Sequence, residues 1–421
     1  MGEHDTPKPD GRRRTEVTPI SFRDLVPEVP ATGYLTHGIY VYPAKFIPQV
    51  VRYCISTYTH ENDCIVDPFA GSGTVGLEAY LLRRNALLLD INPLLDHIVP
   101  IKVYTGGVPL DLSVLRECLR DMAQNKAVFH PRWSKIGYWY PPEVYDRLAE
   151  CWGWVHAADP DAAYTRLITA ALAKASKYFS YADHTTPKLF RTGRKRRLIA
   201  RILQEDWERR LIAMVGGGAE AHLRDVNALV ALAAGNTARV SHHGGVDSVT
   251  YTFGPHARFD ALITSPPYLQ AQEYLRTAKL NLYWMGHTEE EIRALSRLEI
   301  PYRKPDRIVR TETLDALKAE VGREHLVRML DSYFCHTITA LENAAARLAP
   351  GSRACIFTGN PKADGKTVEI WRILAEHFSG RGYAVEGVYE DTIKVRRLFG
   401  SRKNKNPDGM KAEYLLVLRK G

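Results

Sequence analysis

The sequence predicts an α/β fold, an open and largely parallel sheet carrying a helical insert, and three observations point there. Cys64-Ile65-Val66, Ala86-Leu87-Leu88-Leu89 and Ala261-Leu262-Ile263 are short apolar runs with the length of strands buried on both faces. The first ends in Asp67 and passes through small residues into a helical pattern, the strand–loop–helix rhythm of a doubly wound sheet. From about residue 110 to 239 the texture changes to long helical periods with aromatic clusters and few β-branched runs.

In chain order, residues 1–25 are polar, charged and proline-containing, and read as a disordered tail. Residues 26–108 read as one half of the core: a helix from Ile47 to Tyr58, the strand ending at Asp67, a helix from Thr74 to Leu82, and the strand ending at Asp90. Residues 109–239 read as the helical insert, with loops expected at Gly216-Gly217-Gly218 and Gly235-Asn236. Residues 240–421 read as the second half of the core. It holds the strand before Thr264, a helix around 331–348, a strand at 353–357, a helix at 367–378 and a closing strand at 414–418.

The segment Asp67-Pro68-Phe69-Ala70-Gly71-Ser72-Gly73-Thr74 is a glycine loop between strand and helix. Glycine suits a backbone that turns sharply and approaches a ligand without a Cβ in the way. Gly71, Gly73 and Gly76 also satisfy the G-x-G-x-x-G spacing of dinucleotide sites, and Asp90 stands where an acid could hold ribose hydroxyls. Asp67 separates the two cofactor classes. A carboxylate there would crowd a pyrophosphate but suits the ammonium of a methionine moiety. The bland alternative is that Asp67 only caps the turn.

Thr264-Ser265-Pro266-Pro267-Tyr268 ends the strand Ala261-Leu262-Ile263 with two prolines, which remove backbone donors and fix φ. Ligands of open α/β sheets bind beyond the carboxyl ends of strands, so this corner should face the crevice of the glycine loop. An exocyclic amine is a poor nucleophile because its lone pair is delocalised into the ring. Ser265 Oγ and the Pro266 carbonyl can accept its protons, and Tyr268 offers a face for an extruded base. The bland alternative is a Pro-Pro turn with a packed tyrosine. Together the two motifs suit transfer of a methyl group from S-adenosylmethionine to an amine on a base, by direct displacement with positioning as the main catalytic contribution.

On these residues the chain resembles the amino-directed DNA methyltransferases, whose cofactor loop reads like Asp67 to Thr74 and whose catalytic corner reads like Ser265 to Tyr268. The resemblance implies a Rossmann-like, S-adenosylmethionine-dependent core whose middle insert recognises the target. It implies catalytic roles for Ser265, Pro266, Pro267 and Tyr268. Cofactor contacts would come from Asp67, Phe69, Gly71, Ser72, Gly73, Thr74, Asp90 and Asn92. Tyr42 and Pro43 join them, because His37 to Pro48 resembles the segment covering the methionine end, and so does Asp247, placed near the adenine ring. In that family a serine heading the corner is associated with cytosine N4, and aspartate or asparagine with adenine N6. Arg396 to Asn406 with the closing strand resembles the family's C-terminal hairpin. Duplex DNA is the implied partner, and a cognate restriction endonuclease is compatible with it.

Composition agrees. A chain of 421 residues, 45% apolar, can bury one large core and a smaller domain. The net charge of +9 favours an anionic partner. Six scattered cysteines form no C-x-x-C pair, so buried thiols are expected and a metal site is not. The absence of a Pro-Cys dipeptide argues against methylation at a ring carbon. With no long apolar run and no leader-like start, the chain reads as cytoplasmic.

The insert holds the densest basic stretch: Lys188, Arg191, Arg194, Lys195, Arg196 and Arg197 are read as phosphate contacts. Arg402 and Lys403, beside the expected hairpin, are read with them. The bland alternative is a solvated helix face, since Glu205, Asp206 and Glu208 interleave with the later arginines. Tyr138-Trp139-Tyr140 reads as domain packing or a base platform, and Asn281 to Met285 as pocket wall or core packing. Three rival functions remain at this point. An RNA base methyltransferase would usually carry a terminal RNA-binding module. A degenerate fold that only binds nucleic acid would not need the acid-tipped loop. A nicotinamide dehydrogenase would leave Pro266-Pro267-Tyr268 unexplained.

Overall fold

The computed structural model describes residues 16–40, 42, 45–183, 189–269, 274–300, 302–392 and 410–421. Eight strands form the main sheet: β1 (Val17–Ile20), β2 (Cys64–Asp67), β3 (Asn85–Asp90), β4 (Val240–Gly244), β5 (Phe259–Thr264), β6 (Leu348–Gly359), β9 (Tyr383–Thr392) and β10 (Ala412–Lys420). A two-stranded hairpin, β7 (Lys362–Ala363) with β8 (Lys366–Thr367), stands apart. The sheet order is β1-β9-β10-β6-β5-β2-β3-β4. All pairings are parallel except those of β10, which runs antiparallel to both β6 and β9.

From β2 the chain builds outward through β3 to β4. It then returns to lay β5 on the other side of β2 and builds outward again through β6. The order therefore reverses between β2 and β5, and that reversal opens a crevice at the strands' carboxyl ends. The sheet is Rossmann-like. Its residues alternate between two apolar layers because successive side chains point to opposite faces. Ile65, Leu88, Ala261 and Val417 pack with Val50 and Ile55 of the helix Pro48–Tyr58. Val66, Leu89, Leu262 and Leu416 pack with Phe334 and Ile338 of the helix Glu324–Ala345 and with Leu374 of the helix Ile370–Ser379.

Between β3 and β4 the described chain is helical, with helices Leu94–Lys102, Leu112–Gln124, Pro142–Ala157, Ala163–Tyr178, Gly193–Ile202 and Trp207–Leu232. Gly216-Gly217-Gly218, expected to break the chain into a loop, lies inside the helix Trp207–Leu232. Packing overrides the weak propensity of glycine there. A Cβ on Gly218 would stand 3.1 Å from Ala171 Cβ, so the small residue lets this helix approach Ala163–Tyr178.

Residues 17–25 depart from the expected disordered tail. Val17–Ile20 extends the sheet by pairing parallel with β9 from Val388 to Asp391, and Phe22 of the short helix Phe22–Leu25 is fully buried. β1 is polar in pattern and gains its place only from the neighbouring strand. β4 and β9 were also not expected, the first because Ser241, His242 and His243 hide an edge strand, the second because Gly387 interrupts its apolar pattern. The expected hairpin at 396–406 lies outside the described residues. Among the described residues no helix is long and apolar enough to cross a membrane, and no group of His, Cys, Asp and Glu could hold a metal ion.

Candidate active site

β2 and β5 lie side by side with Ile65 opposite Ala261 and Val66 opposite Leu262, so both motifs leave the same sheet edge together. Asp67 and Thr264 end their strands, and Thr264 Oγ1 donates to Asp67 Oδ1 at 2.6 Å. The Phe69 amide donates to the same oxygen at 3.0 Å. Burial nevertheless raises the Asp67 carboxyl to about 7, opposed by those two hydrogen bonds and reinforced by the charge of Asp90. Asp67 is buried beneath the crevice, while Phe69, Gly71, Ser72 and Thr74 line the pocket above it.

The three glycines divide their work. Gly71 and Gly73 take φ of +56° and +74°, which glycine adopts without strain. A Cβ on Gly71 would come within 3.2 Å of the Tyr42 ring, on the pocket side. Cβ atoms on Gly73 and Gly76 would meet Val99 and Leu88, each at 2.6 Å, so these two keep the helix Thr74–Leu81 close to its neighbours. Asp90, at the end of β3, lines the pocket and braces the loop. Its Oδ2 accepts from the Gly71 amide at 2.7 Å and its Oδ1 from the Asn92 amide at 2.8 Å. Burial raises its carboxyl to about 6, against those two hydrogen bonds. Asn92 is buried; its Oδ1 accepts from the Leu94 amide at 3.1 Å, and its Nδ2 has no partner among the described residues.

Two buried charges, one supporting the loop and one anchoring the segment before it, were not foreseen. Lys102, almost fully buried, donates from Nζ to the Ser72 carbonyl at 2.8 Å, and burial depresses its ammonium well below the usual range. Glu78, also buried, accepts from Arg52 Nε at 2.7 Å and from the Tyr34 hydroxyl, and bonds to His37 Nε2 at 2.8 Å. The signal was a charged residue within an apolar helical run, as in Ile98 to Lys102 and Leu77 to Tyr80. His37 thus anchors its segment to the core and does not reach the pocket. From that segment Tyr42 and Lys45 line the pocket, and the Tyr42 ring stacks on Tyr274 at 5.8 Å. Pro43 lies outside the described residues.

The proline corner supplies the opposite wall. Ser265 and Pro267 line the same pocket as Gly71 and Asp90, and Pro266 is buried behind them. Tyr268 is half-buried. Its ring lies over Gly359, where a Cβ would stand 3.3 Å from Cε1, and its hydroxyl donates to Glu413 Oε1. Burial raises both groups; the charge of Glu413 and its hydrogen bond raise the tyrosine further, while the same hydrogen bond opposes the rise at Glu413. Glu413 is the second residue of β10 and carries no motif that would have marked it. Asp247 also lines the pocket, its Oδ2 paired with Arg303 Nη1 at 2.7 Å, together with the buried Glu299.

The basic stretch divides differently from its sequence reading. Lys195 is 1% exposed, and its amine donates to the Tyr178 carbonyl; burial lowers it to about 8. It points from the helix Gly193–Ile202 into the protein interior and is no phosphate contact. Arg191 is held between the rings of Tyr138 and Tyr181, 4.1 and 4.5 Å from their centroids. Arg194, Arg196 and Arg197 lie towards solvent on the same helix. Lys188, Arg402 and Lys403 lie outside the described residues. Tyr283 and Trp284 prove to be packing: both are fully buried, stacked on Trp133 and Trp152.

A family model described as DNA methylase matches residues 21–98. Over 91% of its length the chain is 21% identical to the type II methyltransferase M.BsoBI of Geobacillus stearothermophilus, of which it covers 85%. It is 34% identical over 106 residues to the type II methyltransferase M.MjaII of Methanocaldococcus jannaschii, a match covering 25% of this chain and 19% of that protein. With the type II methyltransferase M.MvaI of Kocuria varians it shares 28% identity over 129 residues, 27% of this chain and 28% of the relative. For the last two, the match spans less than a third of the relative's length.

Proposed function

We propose that the chain is an amino-directed DNA methyltransferase, a reading supported by its matches to the DNA methylase model and to type II methyltransferases, and that it methylates the exocyclic amine of a base in duplex DNA, cytosine N4, with S-adenosylmethionine as methyl donor. One observation carries the reading. Ser265 and Pro267 line the same pocket as Gly71, Ser72 and Asp90, at the point where the strand order reverses.

The pocket residues fit the cofactor. Gly71 offers backbone without a side chain, and Asn92, buried next to the lining residue Ile91, has an amide donor without a partner among the described residues. Asp90 and Glu299 in the wall, with Asp67 beneath, outnumber Lys45 and suit a ligand of net positive charge. In this reading the loop from Phe69 to Thr74 cradles the methionine portion, Asp90 takes the ribose hydroxyls and Asp247 the adenine edge. When bound, the cofactor supplies an electrophilic methyl on a sulfonium.

The chain's own residues do the rest. Ser265 Oγ and the Pro266 carbonyl accept the protons of the amine, which turns its lone pair out of conjugation and towards the donor. Two consecutive prolines hold that corner rigid. Tyr268 presents a ring face to the base, and the bond to Glu413 fixes the ring's direction. Serine at the head of the corner supports cytosine N4 over adenine N6.

Transfer of labelled methyl to duplex DNA, followed by nucleoside mass spectrometry, tests this. N4-methylcytosine is expected. N6-methyladenine would overturn the base, and label on RNA alone would overturn the polymer.

A further inference from the structure

A second cleft opens beside the cofactor pocket, and Glu299 lines both. Its floor is Trp133, Trp139 and Leu189 from the insert, and its other side is Arg276, Lys279 and Tyr302 from the catalytic half. The floor is apolar and fixed. Trp133 stacks on Tyr283 at 4.5 Å and on Trp139 at 6.3 Å, and both tryptophans are more than nine-tenths buried.

The walls are cationic. Arg276 and Lys279 stand three residues apart on the helix Tyr274–Trp284 and so share one face. The Lys279 ammonium lies 5.0 Å from the centre of the Trp133 ring. Of the charged side chains that line the cleft, Arg276 and Lys279 stand against the single carboxylate of Glu299, so the lining is net positive. Tyr302 stands at the rim with 63% of its surface exposed. At the other end, Leu189 is two residues from Arg191, beyond which Arg194, Arg196 and Arg197 lie towards solvent. The cleft thus joins the basic helix to the pocket holding Ser265.

An apolar floor between cationic walls matches a sugar–phosphate chain, and an exposed ring at the rim matches a base. We propose that this cleft seats the DNA strand carrying the target base, with phosphates on Arg276 and Lys279 and a neighbouring base stacked on Tyr302. The assignment rests on the methyltransferase reading, and it places the phosphate contacts of strand delivery on Arg276 and Lys279, outside the basic run at 188–197.

The experiment measures binding of a short fluorescent DNA duplex of mixed sequence across a salt series, for the whole chain and two variants. In Arg276→Gln/Lys279→Gln the slope of log affinity against log salt should fall by about 1.8, which is about 0.9 for each phosphate no longer neutralised. In Tyr302→Ala, a surface change that leaves the core intact, affinity should fall roughly five- to a hundredfold with the slope kept, the range for one stacked base. S-adenosylmethionine binding by calorimetry should be unchanged in both. Unchanged slope and affinity in both variants, with a wild type that binds duplex, overturn the cleft and leave the methyltransferase reading standing. A wild type that binds the cofactor but no duplex overturns both. Losses confined to an RNA oligonucleotide overturn the assignment to DNA.

Discussion

Thr264 and Asp67 are 197 residues apart, yet the hydroxyl of one donates to the carboxylate of the other at 2.6 Å, joining the ends of β5 and β2. The bond ties the proline corner to the glycine loop inside a buried site. Thr264→Val keeps the shape and removes the donor. It should cost about 1–2 kcal/mol in denaturant unfolding and push the Asp67 carboxyl higher still. Unchanged stability would mean that the two strand ends are held by packing alone.

The titration of Asp67 gives cofactor binding a sign. Its carboxyl titrates at about 7 in the folded chain against 3.8 when exposed, and Asp90 at about 6. A cationic ligand favours both ionised, so S-adenosylmethionine affinity should rise between pH 6 and 8, read by calorimetry. Because the folded value is raised, the contribution of Asp67 to stability is complete below about pH 4 and is lost as pH rises through 7. Asp67→Asn should therefore gain stability relative to wild type over that window and show a flatter affinity profile. A pH-independent difference between the two proteins would place the ionisation elsewhere.

Glycine substitutions should separate loop from helix. Gly73→Ala forces a side chain at φ +74° and 2.6 Å from Val99, and should destabilise by about 1–3 kcal/mol while weakening cofactor binding. Gly217→Ala, in a helix and with nothing within 4 Å of its Cβ, should stabilise by about 0.5–1 kcal/mol. Thermal unfolding of the two variants checks both signs.

Tyr268→Ala should abolish turnover and spare S-adenosylmethionine binding; near-normal turnover would remove the stacking role. Tyr268→Phe keeps the ring but frees Glu413, and kcat should fall roughly tenfold, the scale of one buried hydrogen bond. Glu413→Gln added to Tyr268→Phe should cost little more, because both act through one contact. Additive losses would show that Glu413 works independently of the tyrosine.

Arg194→Ala with Arg196→Ala should weaken duplex binding and lower the salt slope by about 1.8. Lys195→Met, between them in sequence, should leave the slope unchanged, since its amine is committed to the Tyr178 carbonyl. A lower slope for Lys195→Met would contradict its buried position.

Much of the core was legible because period and punctuation are local. The runs ending at Asp67, Asp90 and Thr264 are strands, and the observed helix at 370–379 lies within three residues of its expected span. Elements whose cause is a neighbour were not legible. β1 exists because β9 offers an unpaired edge, and the triple glycine stays helical because Ala171 packs close to it. Lys195 read as a phosphate ligand because its neighbours are arginines, although the helical turn points it inward.

By itself the sequence determined the chemistry available: a glycine loop tipped by Asp67, a proline corner headed by Ser265, and their placement at strand ends. Spacing along the chain carries that information, since turns, prolines and β-branched runs act over a few residues. Only the tertiary structure decided that β2 and β5 are neighbours, that Lys102 braces the loop, that Glu78 anchors Arg52 and His37 and that Glu413 holds Tyr268. Those relationships join residues up to 197 positions apart. They arise from burial, which penalises a polar group until a distant partner satisfies it.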